Sequence, residues 1–156
     1  MGKPLLTENH APEATLIVNI PPENRAKFRE TLTQIFGTDA VQQAIESVGT
    51  VHFFRWVLFD NDSKFLFMSI FDGEFDKYFE DFQVFFAKLK IPPLLSLAED
   101  FPKNGLENIE SFKKWVHTKQ VDSMAEYSSY PGATMRDVRK GLAVREHLGK
   151  ALDQMQ

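Results

Sequence analysis

Between Thr50 and Gly73 the chain can fold in very few ways. Thr50 to Asp60 and Ser63 to Gly73 are aromatic and β-branched runs, joined by the polar pair Asn61-Asp62 and closed by Asp72-Gly73. Two such runs around a short polar link read as strands folded back on a tight turn. A helical period begins at once: Phe75, Tyr78, Phe79, Phe82, Phe86 and Leu89 recur on one face of a helix and must meet a core. The unit is strand–turn–strand–helix, and it constrains architecture more than chemistry.

The flanking segments extend it. Glu13 to Ile20 sets Leu16, Val18 and Ile20 against Thr15, Ile17 and Asn19, the period of a strand. Pro21-Pro22 ends it and pre-sets a helix from Pro22 to Phe36 with the stripe Phe28, Leu32, Ile35 and Phe36, closed by Gly37. Thr38 or Asp39 caps a second helix bearing Val41, Ala44, Ile45 and Val48, closed by Gly49. Beyond the hairpin, Ile91-Pro92-Pro93 breaks the Phe-rich helix. Residues 94–106 read as an ordered loop, followed by a short helix with Ile109, Phe112 and Val116. Ser123 to Tyr130 reads as a fourth strand. Pro131-Gly132 turns the chain, and Thr134 caps a last helix with the line Val138, Leu142, Leu148 and Leu152.

Strand, helix, strand, strand, helix, strand is the β-α-β-β-α-β order of a ferredoxin-like fold, here with extra helices: an α+β protein with an antiparallel sheet. The expectation is a tail over residues 1–12 and one domain over 13–156. The 156 residues, 43% of them hydrophobic, suffice for one core. A net charge of −4 with interspersed signs carries no footprint for nucleic acid. Cysteine is absent, which excludes disulfides, thiolate catalysis and Cys metal sites. Residues 1–10 lack the apolar run of a signal peptide. No segment approaches the roughly 18 apolar residues of a membrane span, so a soluble cytoplasmic protein is expected.

Helices cover one face of such a sheet, and the other must be buried elsewhere, which points to a homodimer. Strand parity sorts the faces. His52, Phe54, Trp56 and Leu58 oppose Phe53, Arg55, Val57 and Phe59. Leu66, Met68 and Ile70 oppose Phe65, Phe67, Ser69 and Phe71. Grouping the aliphatic sets under the helices leaves Asn19, Arg55 and Ser69 among Phe53, Phe67 and Phe71 on the open face. An aromatic concavity with a few polar groups suits either a small-molecule pocket or a dimer interface. In the pocket reading Arg55 anchors an anionic ligand, because an arginine inside an aromatic strand needs an anion or a carboxylate, and Glu126 is the internal candidate.

Three stretches also resemble a known group. Val51-His52-Phe53-Phe54-Arg55-Trp56-Val57, then Phe65 to Gly73, then Tyr78-Phe79-Glu80-Asp81-Phe82 are similar to the core of largely uncharacterised bacterial proteins. Tyr127-Ser128-Ser129-Tyr130-Pro131 with Val138-Arg139-Lys140 is similar to the same group's C-terminal signature. The resemblance spans roughly residues 50–150 and implies the ferredoxin-like, dimeric α/β-barrel superfamily. Some members are labelled peroxidase-like, because dye-decolourising peroxidases and chlorite dismutases share that fold; the label is an analogy of fold. It implies haem as the alternative cofactor, with His52 or His117 as axial ligand. Those peroxidases carry a Gly-x-x-Asp-Gly element, and Ser69 stands here in place of its first glycine.

Most single residues have plainer roles. His52, between aromatic neighbours, is expected to be a hydrogen-bonded core histidine. His117 and His147 lie among charges on helix faces, and His10 lies in the tail. No two histidines have metal-ligand spacing, so no metal is expected. Asp60-Asn61-Asp62 lacks the glycine and distal glutamate of a calcium loop, and a hairpin turn accounts for it. Asp72 reads as the N-cap of the following helix. Arg136, Arg139, Lys140 and Arg145 read as a solvated helix face. The functional expectation is a small-molecule-binding protein, with cofactor-free catalysis open to it. A haem peroxidase-like enzyme and a ligand-free dimerisation domain are the alternatives.

Overall fold

The computed structural model describes residues 12–36, 38–88 and 91–154. The expected tail apart from Pro12, with His10, Gly37 and Leu89, lies outside them. Strand β1 (Glu13–Asn19) leads through a short 3-10 turn at Pro22–Asn24 into α1 (Arg25–Phe36) and α2 (Asp39–Val48). The hairpin β2 (Val51–Phe59) and β3 (Lys64–Phe71) follows, then α3 (Phe75–Lys88), α4 (Ile91–Leu95), α5 (Ile109–Lys119) and α6 (Met135–Asp153). The class is α+β, with an antiparallel sheet in the order β1-β3-β2. No described helix is long and apolar enough to cross a membrane.

The hairpin turns where the polar residues lie. Asp60, Asn61 and Asp62 all take positive φ, a conformation that short Asx side chains tolerate better than other non-glycine residues. The Ser63 N–H and hydroxyl both donate to Asp60, and Arg29 of α1 pairs with Asp62. Prolines at the second and third positions of α4 need no intrahelical N–H partner, so the segment that ends one helix opens another. Leu94 and Leu95, expected in a loop, are buried there.

One face of the sheet packs under α1 to α5. Phe28 meets Phe65, Phe79 and Phe82 meet Phe67, and Tyr78 stacks on Phe71 at 3.7 Å between ring centroids. Ala14, Leu16 and Val18 of β1 point the same way, with Phe54, Trp56 and Leu58 of β2 packed against the cluster. This corrects the expected facing of β3. Phe65, Phe67, Ser69 and Phe71 lie in the core, while Leu66, Met68 and Ile70 lie on the open face. The aromatic stripe of α3 decides it, since edge-to-face and offset ring contacts favour Phe against Phe.

The fourth strand expected at Ser123–Tyr130 does not form. Only its approach pairs with β1: Gln120 bridges Leu16, and the Val121 N–H donates to the Thr15 carbonyl at 2.8 Å. From there the chain leaves the sheet edge and crosses the end of the hairpin without regular structure. The last helix also departs from expectation. Leu142, Leu148 and Leu152 are more than half exposed, and α6 buries none of its residues. It is held at its N-terminus, by the Thr134–Asp137 capping box and by Arg139 donating to the Glu46 carbonyl.

Candidate functional site

At the Val51 end of β2 the ladder slips by one residue. Val51 pairs with Phe71 and Phe53 with Ile70, leaving His52 as the extra residue of a β-bulge. A bulge releases its residue from strict alternation and re-aims the side chain. His52 Nε2 lies 2.8 Å from Asp72 Oδ1, just beyond the end of β3, with the imidazole side chain 4% exposed. Asp72 is placed by its own N–H, which donates to the Thr50 carbonyl, and by Gly73, whose φ of 96° suits glycine best. Its second oxygen, Oδ2, accepts the Met135 N–H at 2.7 Å. Asp72 therefore caps the distant α6 and not the helix that follows it in sequence.

The irregular segment closes over this pair. Glu126, Tyr127, Ser128, Ser129 and Tyr130 form one wall of a cleft of about 520 Å³ whose other wall is His52, Phe53, Ile70 and Asp72. The Tyr130 ring lies near-parallel to the His52 imidazole, 6.5 Å between centroids. Pro131-Gly132 brings the chain back, with the Ala133 N–H on the Tyr130 carbonyl. The cleft thus offers a carboxylate-bound histidine, hydroxyls and aromatic edges in one concavity.

The expected ligand residues do not gather there. Of Arg55, Asn19, Ser69, Phe53, Phe67 and Phe71, only Phe53 lines the cleft. Arg55 and Asn19 sit exposed on the open face, on opposite outer strands, while Ser69, Phe67 and Phe71 are inside the core. An exposed guanidinium keeps its hydration, so the desolvation argument for an anion at Arg55 lapses. Among the described residues Arg55 has no carboxylate partner; Glu126 belongs to the cleft wall.

The two histidines considered for haem are both engaged through Nε2. His117 of α5 gives its nitrogen to Asp76 at 2.7 Å on an exposed surface, beside Lys113, whose pKa is raised by its hydrogen bonds to Glu110 and Glu80. His52 is engaged with Asp72. In each ring Nδ1 is the nitrogen that remains for a further partner. Among the described residues no cluster of three His, Asp or Glu side chains could hold a metal ion.

Sequence reasoning missed Asp72 as a partner of His52, and missed Tyr127 and Tyr130 as walls. The His52-Phe53, Asp72-Gly73 and Tyr127–Tyr130 stretches lie far apart in sequence, and only the fold brings them together around the cleft. Compared with known proteins, the chain matches no protein-family model, and no curated protein is significantly similar to it.

Proposed function

We propose that this chain is a small-molecule-binding protein whose site is the cleft at the end of the hairpin, with His52 acting there as a cofactor-free general base. One observation carries the reading: the His52–Asp72 pair at 2.8 Å in the wall of a cleft of about 520 Å³. A carboxylate on one ring nitrogen takes its proton as a donor bond and leaves the other nitrogen an acceptor, which is how a base is oriented. The cleft lies within the size range of small-molecule sites.

The fold reading that accompanies it is ferredoxin-like. Its support is the antiparallel order β1-β3-β2 with Gln120 on the free edge of β1, where a fourth strand of that topology belongs. The meeting of the resemblance segments at one cleft supports the bacterial dimeric α/β-barrel group. A homodimer is supported by the half-exposed apolar face of Ile17, Val57, Leu66 and Met68, with Phe53 62% exposed at its end, and by the apolar line of α6.

The test is a thermal-shift screen of a small-molecule library, with native mass spectrometry of freshly purified protein. Stabilising compounds are expected whose effect is lost in Tyr130→Ala and kept in Arg55→Met. Compounds lost on Arg55→Met and kept on Tyr130→Ala would move the site to the sheet face. With no stabilising compound and no co-purifying ligand, the ligand-free dimerisation domain stands instead.

A further inference from the structure

The last helix carries a surface that its own chain leaves in water. None of the residues of α6 is buried, and Leu142, Leu148 and Leu152 are 55%, 60% and 54% exposed. A helix in a folded protein takes most of its stability from packing an apolar face. Two glycines weaken α6 further, because glycine disfavours a helix interior. A Cβ at Gly141 or Gly149 would meet nothing within 4 Å, so no neighbour in the described chain calls for a glycine. A second helix would. Leu142, Arg145, Gly149 and Leu152 follow one another at steps of three, four and three residues, the a and d spacing of a two-helix seam.

The seam residues select both the occupant and its direction. With α6 of a second copy laid antiparallel and centred on His147, Leu142 meets Leu152 and Arg145 meets Gly149, each pair occurring twice by symmetry. Gly149, having no side chain, leaves the room that the stem of Arg145 needs. The Arg145 guanidinium then lies one helical turn from Asp153 of the second copy, and neither side chain has an ion pair among the described residues. Leu148 flanks the axis beside its own copy. A parallel pair would instead set Arg145 on Arg145 and Gly149 on Gly149, like charges next to a void. We infer that α6 is the dimerisation helix of this chain, pairing antiparallel with α6 of a second copy through Leu142, Arg145, Leu148, Gly149 and Leu152. The inference rests on the homodimer reading and names the surface that carries it.

The full chain lacks cysteine, so a single introduced thiol reports on one position. Leu142→Cys, Leu148→Cys, Leu152→Cys and Lys140→Cys are treated with a short bis-maleimide at a concentration where light scattering shows the wild type to be dimeric. All four positions are exposed, so the substitutions leave the fold intact. Lys140 lies on the outer side of the helix and sets the background of chance collision. Leu148→Cys is expected to link to its own copy at least about tenfold faster than Lys140→Cys. Leu142→Cys and Leu152→Cys are each expected to stay at background alone, being about 15 Å along the axis from their own copies, and to link when the two are mixed. Linking of Leu142→Cys to itself above background shows a parallel pair and overturns the inference. Background rates throughout, with a dimeric wild type, put the dimer on another surface and overturn the inference while keeping the homodimer. A wild type that stays monomeric at high concentration overturns both.

Discussion

Ser69 and Tyr78 face each other hydroxyl to hydroxyl at 2.6 Å inside a core otherwise built from aromatic and aliphatic groups. The Ser69 hydroxyl also reaches the Phe53 carbonyl at 3.3 Å, so the pair ties α3 through β3 to β2 next to the bulge. Ser69→Ala strips the buried phenol of its partner and is expected to cost about 1–3 kcal/mol, the penalty for an unsatisfied buried polar group. Tyr78→Phe leaves Ser69 its carbonyl partner and should cost less, about 1 kcal/mol. Urea denaturation of the two single variants and the double variant checks the order. Equal losses in the two single variants would show that the hydroxyl contact is not what matters.

The same phenol gives the protein an alkaline limit. Burial raises the pKa of Tyr78 above its ordinary value, although the Ser69 hydrogen bond works in the opposite direction. The unfolded chain releases this proton near pH 10 while the folded chain retains it, so the unfolded state binds fewer protons and stability falls with rising pH. This contribution is complete below about pH 10 and declines above it. Thermal melts at increasing pH should show the decline in the wild type and a flatter profile in Tyr78→Phe.

Arg55→Met is expected to be nearly silent. The side chain is exposed and has no ion pair among the described residues, so its loss should change stability by no more than about 0.5 kcal/mol. Chemical denaturation is the check. A loss of several kcal/mol would mean that the sheet face is covered in solution and that Arg55 is buried there.

Asp72→Ala removes the acceptor of both His52 and the Met135 N–H. Amide exchange at the start of α6 should accelerate strongly, while exchange within α3 changes little. Losing one helix-terminal acceptor and one charge-assisted partner is expected to cost about 1–3 kcal/mol. Unchanged exchange at residues 135–138 would show that the capping box alone anchors α6.

Leu148 and Leu152 are more than half exposed, so Leu148→Glu with Leu152→Glu removes little from a single chain. If α6 contributes to a homodimer, the double variant should be monomeric by light scattering at a concentration where the wild type is dimeric. A wild type that stays monomeric at high concentration would remove the dimer from the proposal.

Local order was legible in the sequence wherever one period dominated. The alternation in β1, the Asp60-Asn61-Asp62 turn and the i, i+3, i+4 aromatic stripe of α3 all lie where the periodicity places them. The facing of β3 was not, because both its faces are apolar and alternation cannot say which set is inside. The answer lay in a neighbour, the Phe-rich α3. Ser123–Tyr130 misled for the opposite reason: its few apolar residues have no partner strand beyond β1 to reward pairing. The site was hidden because Asp72 acts across 20 residues on His52 and across 63 on α6, and no local pattern encodes such contacts.

The bulge at His52 separates the sheet architecture from the make-up of the cleft wall. Deleting that single residue would restore an uninterrupted ladder between β2 and β3, keep Val51 and Phe53 on their present faces, and remove the His52 imidazole from the cleft. Loss of one codon there would therefore change the wall of the cleft without redrawing the architecture.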